Sequence, residues 1–143
     1  MITRMIESGT PDYRTMVALR VRALLEPIGV PATYIDHDDI NNDIFIGAFE
    51  GDNLLGCCVL TPRDEGMVQL RQMVVEPGLQ GKGVGAEIVR FAETVARERG
   101  FRKLMMHARD PVIPFYEKCG YTIAGPQFFE VGIGHHKMDK NLI

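Results

Sequence analysis

The sequence predicts an α/β (α+β) protein: one mixed, twisted, mostly antiparallel sheet with helices on both faces. Three observations predict it. β-rich runs at 43–50, 54–62 and 68–75 follow one another with only turns between them, which calls for an antiparallel meander. The third run passes through the closely spaced glycines Gly81, Gly83 and Gly85 into a strongly periodic amphipathic helix, and a further β-rich run follows at 103–108. A right-handed crossover through that helix makes the two flanking strands parallel.

Taken in order, residues 2–7 form a first strand. Thr10-Pro11-Asp12 then starts a helix, with a capping hydroxyl and a proline at the first helical position. Met16, Leu19, Arg20, Ala23 and Leu24 recur at helical spacing until Pro27-Ile28-Gly29 ends the segment. Residues 30–42 are polar and leave room for a second short helix. Gly51-Asp52-Asn53 reads as a hairpin turn, and 63–66 as the next. In the helix after the glycines, Val84, Ile88, Phe91, Ala92, Val95 and Ala96 make one stripe, Glu93 and Arg97 pair at i,i+4 on the other face, and Gly100 closes the helix. Residues 111–118 form a short helix, and strands at 121–124 and about 132–140 end the chain.

A length of 143 residues makes one domain, 1–143, able to bury a proper core. Apolar content of 45% and charged content of 24% are those of an ordinary globular protein. The absence of a long apolar run argues against membrane association, and the absence of a basic, aromatic-interleaved stripe against nucleic acid. Cys57, Cys58 and Cys119 suggest neither a disulfide framework nor a metal site, and the expected compartment is the cytoplasm. The net charge of −3 is unevenly spread: residues 1–75 carry 11 acids and 6 bases, and residues 76–143 carry 8 acids and 10 bases. The plain reading of Asp36, Asp38, Asp39 and Asp43 is solvated loop charge. The functional reading is that an acidic half draws a cationic amine while a basic half holds an anionic cofactor.

The stretch 68–85 organises the chain. A strand, a glycine turn and a helix N-terminus in succession offer unpaired N–H groups and partial positive charge, which suits a diphosphate. It is not a P-loop, because Lys82 is followed by Gly83 rather than by Ser or Thr. Gly81-x-Gly83-x-x-Ala86 fits a dinucleotide fingerprint in spacing, but Glu76 to Gln80 intervene after the strand and the chain before it reads as a meander.

What remains, Gln80-x-x-Gly83-x-Gly85 after Val74-Val75-Glu76-Pro77, resembles the pyrophosphate motif of the GNAT family of N-acetyltransferases. Phe115-Tyr116-Glu117-Lys118-Cys119-Gly120-Tyr121 resembles the family's Phe-Tyr-x-Lys-x-Gly-Phe segment, at the family's distance from the glycine loop. The likeness spans essentially the whole chain and is similar to that of the small bacterial-type members. It implies the acyl-CoA N-acyltransferase fold, and transfer of an acetyl group from acetyl-CoA to a primary amine of a small molecule or peptide by direct attack on the thioester. The alternative on the same fold is a non-catalytic acetyl-CoA sensor or regulatory module.

The resemblance assigns Gln80, Gly81, Lys82, Gly83, Val84 and Gly85 to the pyrophosphate. It places a strand bulge near Met73, Val74 and Val75, where main-chain groups would meet the pantetheine arm and polarise the thioester carbonyl. Tyr116 matches the tyrosine that protonates the leaving sulfur; its alternative is an aromatic packed on the sheet. Three positions depart from the family pattern: Gln69 stands where the histone-acetylating branch has a glutamate base, Arg109 where an asparagine is frequent, and Val112 where a small residue is usual. The base is therefore unassigned among His107, Glu130, His135, His136 and a water chain. No metal is implied, and a homodimer is left open.

Overall fold

The computed structural model describes residues 1–143, apart from the side chain of Asp36. Eight strands make one sheet: β1 (Ile2–Ile6), β2 (Ile44–Glu50), β3 (Asn53–Pro62), β4 (Met67–Val75), β5 (Lys103–Arg109), β6 (Thr122–Ile123), β7 (Phe128–Glu130) and β8 (Ile133–Asn141). Their spatial order is β1-β2-β3-β4-β5-β8-β6, with β7 also on β8. Every pairing is antiparallel except β4 with β5.

Strand alternation divides the sheet into two faces. Ile46, Cys58, Leu60, Leu70, Leu104 and Met106 point to one side and pack beneath α2 (Val84–Glu98) through Ile88, Ala92 and Val95. Phe45, Phe49, Cys57 and Val59 point to the other side and pack beneath α1 (Pro11–Arg20) through Met16 and Leu19. The helices thus cover opposite faces, but α1 reaches only the β1–β4 half. α3 (Ile113–Lys118) adds Tyr116 to the α2-side core.

Thr10 caps α1 as its sequence suggests, accepting from the Tyr13 N–H at 3.3 Å. After Arg20 the helix widens into a π turn over Val21–Leu25, then tightens to a 3-10 turn at Glu26–Ile28, and Gly29 stops it at φ 74°. The polar stretch beyond it contains a 3-10 turn at Ala32–His37. β7 is an addition to the expected elements: three residues that pair with β8 from Phe128↔His135 to Glu130↔Ile133. Glu93 corrects the surface i,i+4 expectation, because it is buried and accepts from the Tyr121 hydroxyl at 2.8 Å and from Lys140 Nζ at 3.0 Å. Arg97 keeps the i,i+4 ion pair with Glu93 at 4.0 Å through Nη2 and donates from Nε to the Leu142 carbonyl at 2.9 Å.

Two irregularities open the sheet in its middle. β4 and β5 are in register only from Met67↔Lys103 to Leu70↔Met106, and beyond that level they diverge. In the same place β4 shifts register against β3, from Val59↔Arg71 to Cys57↔Val74, so that Gln72 and Met73 together oppose Cys58. This is a β-bulge, with Gln72 at φ 53° in the left-handed region that non-glycine residues seldom enter. It lies at the leading edge of the stretch the family resemblance marked.

Candidate active site

The divergence of β4 and β5 leaves a cleft of ≈ 820 Å³ that passes from one face of the sheet to the other. One end is the turn that leads into α2. Gly81 and Gly83 sit there at φ 82° and 83°, and a Cβ built on either meets nothing within 4 Å. Glycine is required by the backbone angle, then, and the space above the turn is open. Gly83 is the N-cap of α2, no side chain caps that end, and the N–H groups of Gly81, Gly83 and Gly85 have no protein acceptor among the described residues. Open space, unpaired donors and the positive end of a 15-residue helix fit an anionic group of pyrophosphate size.

Gln80, Gly81, Gly83 and Gly85 line the cleft. Lys82 is exposed and Val84 is buried in the α2-side core, so neither side chain contributes to the wall. Met73, Val74 and Val75 line its middle, where β4 has lost its partner strand.

Tyr116 lines the same cleft from α3. The residue is 5% exposed, packed edge-on against Phe115 and Tyr121, and no protein group bonds its hydroxyl among the described residues. Burial pushes its pKa well above the usual phenol value; the neighbouring thiols of Cys58 and Cys119 add to this and Arg109 opposes it. The phenol is therefore a protonated donor facing a cavity.

Three of the base candidates meet at the other mouth. β5 supplies His107, β7 Glu130 and β8 His135, and all three line the cleft. His107 Nδ1 donates to Glu130 Oε1 at 2.8 Å, since a carboxylate can only accept. This leaves Nε2 of a neutral His107 with its lone pair available. His135 Nδ1 donates to the Ile133 carbonyl at 2.7 Å, and its Nε2 is 3.9 Å from Glu130 Oε2. Phe128 holds the two rings, stacked on His135 and edge-on to His107. His136 is not part of this group: it pairs with Asp110 at 2.7 Å on the other side of β8.

Sequence reasoning placed no role on Arg20, which is the largest fully buried side chain. Its guanidinium binds Asp38 with two bonds of 2.8 Å and donates from Nε to Gln72 Oε1 at 3.0 Å. Tyr13 adds a 2.7 Å bond to Asp38. Burial alone would raise the Asp38 pKa, but the Arg20 bonds and charge, with help from Tyr13, hold it below the usual carboxylate range. Burial and the Asp38 carboxylate push Tyr13 up to about 12. The network ties α1 and the 3-10 turn to the bulge residue. Its signal was an arginine inside an apolar helical stripe, which needs an acid to bury with it.

Of the four aspartates, Asp39 is exposed as solvated loop charge is expected to be, the Asp36 side chain lies outside the described residues, and Asp38 and Asp43 follow neither reading. Asp38 is consumed by Arg20. Asp43 is buried, accepts from the Asp39 N–H at 2.9 Å and lies 3.7 Å from Arg71. Gln69 is occupied as well, its Oε1 accepting two bonds from Arg63.

Known proteins share this architecture. The Acetyltransferase (GNAT) family model matches residues 13–121. The curated protein named "Probable N-acetyltransferase 14" of Xenopus tropicalis is 29% identical over 119 residues, 80% of this chain and 57% of its own length. The uncharacterized N-acetyltransferase YjcF of Bacillus subtilis is 26% identical over 125 residues, 86% of this chain and 88% of its own. This chain thus spans little more than half of the first relative and most of the second. A crystal structure of a candidate N-acetyltransferase from Lactobacillus plantarum superposes with TM-score 0.87 at 25% identity, covering 100% of both chains. An aminoglycoside 6'-N-acetyltransferase complexed with coenzyme A superposes with TM-score 0.83 at 18% identity, over 100% of this chain and 98% of that one. The bulged and splayed sheet, the glycine turn and the family match lead to one conclusion: the chain belongs to the GNAT acetyltransferase family.

Proposed function

We propose that this chain transfers an acetyl group from acetyl-CoA to a primary amine of a small molecule or peptide, by direct attack of the amine on the thioester. The observation that carries the proposal is that a single cleft joins an anion cradle, a protonated phenol and a histidine–carboxylate pair. The coenzyme A held by a neighbour of the same fold supports the choice of acyl donor.

In this reading Gln80, Gly81, Lys82, Gly83, Val84 and Gly85 offer main-chain N–H groups to the pyrophosphate. Met73, Val74 and Val75 offer the unpaired edge of β4 to the pantetheine arm. The bulge at Gln72 and Met73 leaves the ladder locally unpaired, and an N–H there is the donor to the thioester carbonyl. An alkyl ammonium with pKa about 10 lies ~3 units from deprotonation at pH 7, which costs roughly 4 kcal/mol. His107 Nε2 takes that proton while Glu130 fixes the ring. The amine nitrogen bonds the acetyl carbon, the C–S bond breaks, Tyr116 passes its proton to the departing thiolate, and the second proton shed by the nitrogen restores the phenol.

The cysteines take no part. Cys57 and Cys58 are wholly buried, and burial pushes the Cys57 thiol up to about 12, far from a usable thiolate at neutral pH. The test is acetyl-CoA turnover with a panel of amines, read by mass spectrometry. Acetylated amine and free coenzyme A thiol in equal amounts, with no acetylated cysteine, are expected. Acetyl-CoA binding without acetylation of any amine would contradict transfer and favour a sensor.

A further inference from the structure

Charge at the acceptor mouth is lopsided. Among the described residues that line the cleft, Arg63, Arg71 and Arg109 stand against one carboxylate, Glu130. The nearby acids of the N-terminal half are engaged elsewhere: Asp38 with Arg20, Asp43 with the Asp39 N–H and Arg71, and Glu76 with Arg22 at 2.6 Å. Arg63 gives its Nε and Nη2 bonds to the neutral amide of Gln69, at 2.9 and 2.7 Å, so its charge is oriented but not cancelled. Arg109 has no hydrogen-bond or ion-pair partner among the described residues. Arg71 is the most engaged of the three, bonded to the Thr61 hydroxyl at 3.0 Å and 3.7 Å from Asp43.

Strand alternation places these groups on one face. Arg71 opposes Val59, whose side chain packs on the α1 side. Arg109 opposes His135 and lies two residues after His107, so it shares their face. That is the face α1 leaves uncovered, opposite α2 and its glycine turn. Val75 lies four positions after Arg71, across the bulge and so at most roughly 13 Å along the strand, and the turn lies farther on. Arg71, and Arg63 beyond it at the Pro62↔Val68 end of the pair, are thus remote from the phosphate cradle, while Arg109, near enough to Tyr116 to oppose the rise in its pKa, shares the face of the pair that receives the amine's proton.

From this juxtaposition we propose that the acceptor is an anionic amine: a small molecule carrying a carboxylate or a phosphate together with its primary amine. Arg109 and Arg63 hold the anion while the amine faces His107. A guanidinium matches either oxyanion with two parallel N–H bonds, and three arginines oppose entry of a polycation. This rests on the transfer reading above and narrows its substrate.

The test compares matched amines. Amino acids are set against their amides, phosphoethanolamine and glucosamine 6-phosphate against ethanolamine and glucosamine, and spermidine and kanamycin serve as polycations. The acids or the phosphates are expected to exceed their uncharged partners in kcat/KM by about tenfold or more, and whichever set does so names the anion. In Arg109→Gln and Arg63→Gln that ratio should fall toward one. Uncharged amines or polycations turning over as fast as the anionic ones would overturn the proposal while leaving transfer intact. A readout independent of turnover is the melting shift produced by the same compounds on the coenzyme A-saturated protein. Stabilisation by the anionic amines, lost in Arg109→Gln, supports the proposal, and equal or greater stabilisation by spermidine overturns it.

Discussion

Replacing Arg20 by Met keeps the length and helix preference of the side chain and removes the charge. What it leaves behind is Asp38, whose side chain is 2% exposed and loses two 2.8 Å bonds, and Gln72, which loses its 3.0 Å bond. Breaking a buried ion pair from one side costs about 3–5 kcal/mol, a large share of the 5–15 kcal/mol or so that holds a domain together. At about 3 °C per kcal/mol for a chain of this size, the melting point should fall by roughly 10–15 °C at pH 7. The pH dependence has a definite sign. In the parent, Asp38 titrates below its unfolded value, so its contribution is present above pH about 4 and is lost as the pH falls through the folded pKa. Without Arg20, burial dominates and raises that pKa, so the variant loses stability as pH rises and the gap to the parent closes in acid. The double variant Arg20→Met/Asp38→Leu removes both charges and should recover most of the stability. It should not recover the rate of acetyl transfer, because Gln72 still has no anchor for the bulge. Thermal unfolding across pH 3–8, paired with single-turnover rates, measures all of this. A single variant within about 1 kcal/mol of the parent at pH 7, or a double variant with parental rates, would refute the reasoning.

Two further predictions concern proton transfer. Tyr116→Phe keeps the ring packed against Phe115 and Tyr121 and removes only the donor, so single-turnover acetylation should slow by roughly 10²-fold with acetyl-CoA affinity unchanged by calorimetry; a chemical step at parental speed would reduce Tyr116 to packing. Glu130→Gln takes the carboxylate from His107 Nδ1 and should lower kcat by about tenfold, with a larger loss in His107→Ala; parental kcat in both, measured by thiol release, would mean that another group or water takes the amine's proton.

The parts of this fold that were legible in the sequence are those written locally. α2 announces itself by its apolar stripe and its glycines, and the meander by three β-rich runs separated by turn residues. The anion cradle is similarly local, since the glycine spacing, the strand before it and the helix after it are contiguous. What was hidden depends on partners distant in sequence. Gln72 enters the left-handed region with no glycine to mark it, and Arg20, 52 residues earlier, is bonded to it there. β7 is three residues long and exists because β8 pairs with it. Glu93 and Arg97 have the spacing of a surface pair, yet Tyr121 and Lys140 arrive from the tail and turn Glu93 inward. His107, Glu130 and His135 were separate candidates with no sign of being neighbours, because their meeting is set by the register of β5, β7 and β8.

The central claim is that the splayed cleft and its glycine turn hold acetyl-CoA, and Gly83→Asp tests it most directly. At φ 83° any L-residue is strained, at a cost of about 1–2 kcal/mol that the domain can bear. The new carboxylate would lie at the N-terminus of α2, among the N–H groups meant for the pyrophosphate. Calorimetric titration of acetyl-CoA should show one site per chain in the parent and no measurable binding in a variant whose circular dichroism remains that of the folded protein. Unchanged acetyl-CoA affinity in that folded variant would contradict the account.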